Sequence, residues 1–163
     1  MRKLATLVFA AAVCTGLSAQ ADQRTAAGFA TVHSAKANLR QAQTIINAYR
    51  RSHGLAPLAL DARLTSAAQA HCDDMARHDT MSHAVSYGGL PRRMASAGLR
   101  PSLAAENVSA GYRTASRAIA GWQQSLAHNR NLLMPGVRRM GLAVAYQPQS
   151  RYKYYWTLIL AAE

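Results

Sequence analysis

Apolar positions along this chain follow three spacings in turn, and each marks a different kind of element. Leu4 to Leu17 is an uncharged apolar run. From Thr44 to His53, Ile45, Ile46 and Tyr49 fall on one side of a predicted helix that Gly54 stops. Pro57 marks the following turn. Asp61 is placed as the N-cap of a second helix running to about Arg77, where Leu64, Ala68, His71 and Met75 repeat at helical spacing and predict the buried face. Pro91 to Ala97, stopped by Gly98, is a short third helix. Thr114 opens a fourth, with Ala118, Ile119, Trp122 and Leu126 expected inward. The period then drops to two. Met140, Leu142, Val144 and Tyr146 alternate with Gly141, Ala143 and Ala145. After Gln147-Pro148-Gln149-Ser150, Tyr152, Tyr154, Trp156, Leu158 and Leu160 alternate again. That pattern predicts a β-hairpin with one face on the core. Helices first and strands last imply an α+β layered domain rather than a doubly wound parallel sheet.

The N-terminal run has the layout of a secretory signal. Arg2-Lys3 supplies a positive start, and Ala19-Gln20-Ala21 supplies small residues for cleavage after Ala21. The run is shorter than the roughly 20 apolar residues of a membrane span. Cys14 invites a lipoprotein reading, but Val13 stands where lipidation would want a small residue. The expected organisation is a signal peptide (1–21), a flexible or loosely helical lead-in (22–40) and one domain (41–163). No other stretch is apolar enough to cross a membrane, so a secreted or periplasmic monomer is expected. Without Cys14, Cys72 is alone and cannot form an internal disulfide; on a helix it reads as a buried small hydrophobe.

Charge adds less than its size suggests. The chain carries 19 Lys and Arg against 7 Asp and Glu. The arginines are scattered in pairs (Arg50-Arg51, Arg92-Arg93, Arg138-Arg139) rather than gathered on one helix, and the expected export argues against nucleic acid. A solvated basic surface is the plain reading. Attraction to anionic envelope polymers or lipid headgroups is the sharper one.

Candidate chemistry gathers around one residue. Glu106 is the only glutamate ahead of the final residue, and His83 and His128 bracket it. His83 is placed in the loop after the second helix, Glu106 in a short segment before Gly111, and His128 near the end of the fourth helix. His71, on an apolar stripe, reads as a hydrogen-bonded core histidine. His78 suits a helix C-terminus, and His33 and His53 read as surface residues.

The order of these motifs resembles the CAP superfamily of cysteine-rich secretory, venom-antigen and pathogenesis-related proteins, especially its bacterial SCP-like branch. Asn47-Ala48-Tyr49-Arg50, Pro57-Leu58 and Leu64 with Ala67-Ala68 resemble its opening helices. Met75-Ala76 with Ser82-His83, Ala105-Glu106-Asn107-Val108, and Trp122-x-x-Ser125-x-x-His128-x-x-Asn131-Leu132-Leu133 are similar to its histidine and Glu-Asn elements. Met140-Gly141-Leu142 to Trp156 resembles its closing strands. The resemblance covers about residues 41 to 162. It implies a three-layer α-β-α sandwich with a small antiparallel sheet and a cleft holding His83, Glu106, Asn107, Ser125 and His128. The family's second acid would fall on Ser125, so the full tetrad is not kept, and the eukaryotic disulfides are missing.

Three functions stay open at this point. Neutral imidazoles at His83 and His128 suit zinc or another divalent cation, with Glu106 as a third ligand or an orienting partner. Alternatively Glu106 simply pins both histidines. Ser125, three residues before His128 on one helix, could with Glu106 mimic a hydrolase triad of protease or esterase type, although no Gly-x-Ser-x-Gly elbow occurs. The resemblance also implies a lipid-binding module. A non-catalytic binding protein with a His83/His128 metal cleft is the expectation carried forward.

Overall fold

The structure is a computed structural model that describes residues 39–162. The expected signal peptide, the lead-in up to residue 38, and His33 lie outside the described residues. The chain runs α1 (residues 39–52), β1 (Ala59–Leu60), α2 (Ala62–Arg77), α3 (Leu90–Ser96), β2 (Ala104–Ala110), α4 (Ala115–Gln124), α5 (Leu126–Leu132), β3 (Arg139–Tyr146) and β4 (Tyr154–Ala161). The four strands form one sheet in the order β1-β3-β4-β2. β3 and β4 are an antiparallel hairpin, β2 is antiparallel to β4, and two-residue β1 is parallel to β3.

Local signals place the helices well. Asp61 caps α2, its Oδ1 accepting from the backbone N–H groups of Arg63 at 2.8 Å and Leu64 at 3.0 Å. Leu64, Ala68, His71 and Met75 are all buried along that helix. Helix α1 already runs at residue 39, five residues before the expected start at Thr44, because Leu39 and Ala42 continue the core-facing stripe of Ile45, Ile46 and Tyr49. Thr114 caps α4 as expected.

Two expectations need correcting. The fourth helix does not run through to His128: Ser125 adopts extended backbone (φ −90°, ψ 119°) and splits it into α4 and α5. Leu126 consequently points away from the core and is 72% exposed.

The hairpin is covered on both faces rather than one. Met140, Leu142, Trp156, Leu158 and Leu160 pack with α1, α4 and α5, while Ala143, Ala145, Tyr155 and Ile159 pack with α2 and α3. The alternation along β3 is large apolar against small apolar, which is the pattern of a strand sandwiched between two layers. The small side admits α2 closely. A Cβ on Gly141 would lie 2.2 Å from the backbone carbonyl carbon of Leu64. A three-layer α-β-α sandwich results, with β2 at its outer edge.

The basic surface also proves partial. Arg50 is fully buried, its Nε donating to Ala56 O at 2.9 Å and its Nη1 to Leu132 O and Met134 O at 2.8 and 3.1 Å. It ties the end of α1 to the segment after α5. Cys72 is a buried free thiol, with its pKa pushed up to about 12 by burial.

Candidate functional site

Edge strand β2 distributes the expected site residues between two layers, because successive side chains of a strand point to opposite faces. Glu106 stands in register with Ile159, of the α2 and α3 layer, and Asn107 with Leu158, of the α1, α4 and α5 layer. Two adjacent residues thus serve two different layers.

On the α2 and α3 side the connections are ionic. Glu106 is buried, and its Oε1 accepts from His83 Nδ1 at 2.9 Å while its Oε2 pairs with Arg93 Nη2. Arg93, on α3, is itself buried, and its Nη1 donates to His83 O at 2.8 Å and Gly88 O at 2.7 Å. The loop carrying His83 is fixed at two further points. His71 Nε2 donates to Ser82 O at 2.9 Å, and the buried Asp74 carboxylate accepts from Ser86 N–H at 2.8 Å. His71 is therefore the hydrogen-bonded core histidine that its position predicted. Its pKa is lowered, foremost by burial, with the Glu106 charge acting in the opposite direction.

Amides make the corresponding connections on the α5 side. Asn107 Nδ2 donates to His128 O at 3.0 Å. Asn131 Nδ2 reaches Glu106 O at 3.0 Å and Asn107 Oδ1 at 2.9 Å. Tyr49 Oη donates to Asn129 Oδ1 at 3.0 Å, linking α1 to the same helix. These bonds hold α5 against β2 and so place His128. Its pKa is lowered, foremost by burial and further by the charge of His83.

The protonation pattern at His83 has a chemical consequence. A carboxylate can only accept, so the proton of a neutral His83 ring sits on Nδ1 and leaves the Nε2 lone pair available. With the His83 side chain 59% exposed, that lone pair has room for a ligand. Glu106 is differently placed: both oxygens are occupied inside the protein. Among the described residues no group of three or more His, Cys, Asp and Glu side chains is arranged to hold a metal. What the fold provides is an exposed His83 ring oriented by a carboxylate, and His128 on a helix that Asn107 and Asn131 hold against β2.

Ser125 does not share one helix with His128 as expected. It is the junction between α4 and α5 rather than a position on one helix with His128, and its carbonyl accepts from Asn129 N–H at 2.8 Å. Among the described residues no hydrogen bond links Ser125, His128 and Glu106, and the Glu106 carboxylate is engaged by His83 and Arg93.

Arg93 was missed by reading the arginine pairs as surface. Its signal was available, since a lone glutamate inside an apolar strand must find a cation or hydrogen-bond donors. Asn131 was visible within the histidine motif, but its role as a splint between α5 and β2 was not.

A model of the CAP cysteine-rich secretory protein family matches residues 43–160. The uncharacterized membrane protein YlbC of Bacillus subtilis is 30% identical over 106 residues, which are 64% of this chain and 31% of that protein. An extracellular SCP-domain protein of Bacillus anthracis superposes with a TM-score of 0.69 at 28% identity, over 79% of this chain and 41% of that one. An outer surface protein of Borrelia burgdorferi superposes with a TM-score of 0.71 at 17% identity, over 78% and 94% respectively, a likeness of fold. The chain spans about a third of the length of the first relative and two-fifths of the second. Among the described residues no helix is long and apolar enough to cross a membrane. With the family model covering most of the chain and the same α+β sandwich recurring in bacterial SCP domains, this protein belongs to the CAP family of cysteine-rich secretory proteins.

Proposed function

We propose that this protein is an exported, non-catalytic binding module whose cleft takes a divalent cation such as zinc between His83 and His128. The observation that carries this reading is the His83 Nδ1–Glu106 hydrogen bond beneath an exposed ring. Histidine ligands of metals characteristically donate their other N–H to a carboxylate, which fixes the tautomer and raises the basicity of the ligating nitrogen. Glu106 then acts as the orienting partner rather than as a ligand. His128 contributes a ring whose lowered pKa keeps it neutral, the state in which imidazole ligates. Two protein ligands leave the remaining positions to water or to a partner's groups, so the cation would exchange readily. Export is supported by the signal-like N-terminus and by the extracellular character of the Bacillus anthracis relative.

Calorimetric titration with zinc chloride tests the proposal. Wild type is expected to show a saturable heat that His83→Ala/His128→Ala abolishes, with circular dichroism confirming that the variant is folded. Equal heats from the two proteins would overturn it. A Glu106→Gln variant should retain binding with an affinity lowered by about 10- to 100-fold. Ester or peptide hydrolysis that disappears in Ser125→Ala would contradict the non-catalytic reading.

A further inference from the structure

Small side chains on two neighbouring helices leave space between them. Ala67 and Ala70 on α2, Ser96 on α3 and Ala97 at its end border a hollow of about 270 Å³. Ala70 and Ser96 are exposed, so the hollow can be entered from solvent. Its volume falls just below the roughly 300–1,000 Å³ of sites for drug-sized ligands, which suits a smaller occupant. Tyr87 supplies an aromatic wall and is 54% exposed. The backbone on either side of Tyr87 is fixed. Ser86 N–H donates to Asp74 Oδ2 at 2.8 Å, and Gly88 N–H closes a turn by donating to Val85 O at 3.4 Å.

One lining residue is both charged and buried. Arg93 borders the hollow and is 5% exposed. Its Nη1 donates to His83 O and Gly88 O, and its Nη2 pairs with Glu106. Its Nε, also buried, has no hydrogen-bond partner among the described residues. A buried donor without an acceptor bears the full cost of its lost hydration, and a guanidinium donor bears more of it than a neutral one. An acceptor in the hollow would remove that cost. The charge of Arg93 is already met by Glu106, so an anion brought to Nε would stand beside a second negative charge. A neutral oxygen avoids this repulsion and still supplies the missing bond. Alanine methyls and a tyrosine ring around that donor favour an apolar body behind the oxygen.

We propose that the hollow between α2 and α3 is a binding site for a small neutral carbonyl compound. Its apolar body lies among Ala67, Ala70, Ala97 and the Tyr87 ring, and its carbonyl oxygen turns toward the Arg93 guanidinium to accept from Nε–H. This site is lined by none of the side chains assigned to the cation cleft.

Two probes of the same shape test the proposal on the full chain. Cyclohexanone carries the carbonyl, and methylenecyclohexane replaces its oxygen by CH₂. Each is titrated and followed by the ¹⁵N–¹H shifts of the Ala67, Ala70 and Ala97 amides and of Arg93 Nε–H. The expected result is saturable shifts of all four groups with cyclohexanone, and binding of methylenecyclohexane at least threefold weaker. Ala70→Leu brings a larger side chain to the hollow from an exposed helix position and should weaken cyclohexanone tenfold or more. Ala120→Leu adds the same group on the exposed side of α4, in the other layer, and should stay within twofold of wild type. Equal affinities for the two probes would overturn the carbonyl assignment, and that comparison needs no variant to fold. Undiminished binding in Ala70→Leu, or equal losses in the two leucine variants, would overturn the location. An absence of saturable shifts with cyclohexanone would overturn the site itself. His83→Ala/His128→Ala keeps the His83 carbonyl that Arg93 binds and should leave the affinity within twofold, so this site and the proposed cation cleft succeed or fail separately.

Discussion

His83 and His128 belong to opposite layers of the sandwich, and they are held there by different physics. The His83 side rests on charge: a buried Glu106–Arg93 pair, the Asp74 carboxylate on Ser86 N–H, and a buried His71 beneath the loop. The His128 side rests on neutral amides, with Asn107 and Asn131 splinting α5 to β2. Charged anchors hold a loop that has no helical ladder of its own, at the risk of leaving an uncompensated ion if one member is lost. Amide anchors hold a helix that is already internally bonded, and each contributes less. The difference teaches where this site is fragile. Its ionic half should fail abruptly, and its amide half should fail by degrees.

Removing one ion is the severest test of that contrast. Glu106→Ala strands the Arg93 guanidinium in a buried position, and a loss of about 3–5 kcal/mol is expected in urea denaturation. Pairing Glu106→Gln with Arg93→Met should recover a substantial part of that loss. A double variant no more stable than Glu106→Ala would show that the pair is not the anchor described here.

On the amide side the expected effect is smaller. Asn107→Ala removes the side-chain donor to His128 O and one of the two acceptors of Asn131 Nδ2, and should cost about 1–3 kcal/mol. The His128 ring resonances should shift in the NMR spectrum while those of His83 stay in place. A loss as large as that of Glu106→Ala would erase the contrast between the two halves.

Acid should act chiefly through rings that folding makes harder to protonate. His71 and His128 both have folded pKa values below the ordinary value of 6.5, in each case foremost because burial disfavours the cation. As pH falls below about 6.5 the unfolded chain takes up protons first, so unfolding is favoured. At higher pH both states are neutral and the penalty disappears. Between pH 7.5 and 5.5 the wild type should lose stability on the order of 1 kcal/mol for each unit by which a ring is shifted. His71→Gln, whose amide can still donate to Ser82 O, should lose less. Identical losses would place the acid sensitivity elsewhere.

The smallest effect belongs to a residue that sequence periodicity put in the core. Leu126→Gln should change stability by no more than about 0.5 kcal/mol, since the side chain is mostly in solvent. A loss of several kcal/mol would mean that α4 and α5 form one continuous helix after all.

The fold was legible wherever its cause is local. Asp61 and Thr114 cap helices through donors two or three residues away, and apolar stripes declare a buried face within one or two turns. The hairpin was legible for the same reason, although its second buried face was hidden in the small residues Gly141, Ala143 and Ala145, which look like gaps until α2 fills the space beside them. Strand β2 was the hardest element to see. Its polar residues interrupt the apolar pattern, and each has a use only once its partners are in place.

Sequence by itself settled the capped starts of α2 and α4, the hairpin and the buried Cys72. Tertiary structure alone decided that Glu106 and Asn107 serve opposite layers, that Ser125 breaks the helix into α4 and α5, and that Arg50 and Arg93 are internal while Arg63 and Arg100 face solvent. The reason lies in the range of the forces. Caps and stripes are set by neighbours within a few residues. A buried charge is set by partners distant in sequence, such as Arg93 for Glu106 at a separation of 13 residues, and an arginine shows which kind it is only when the chain has closed around it.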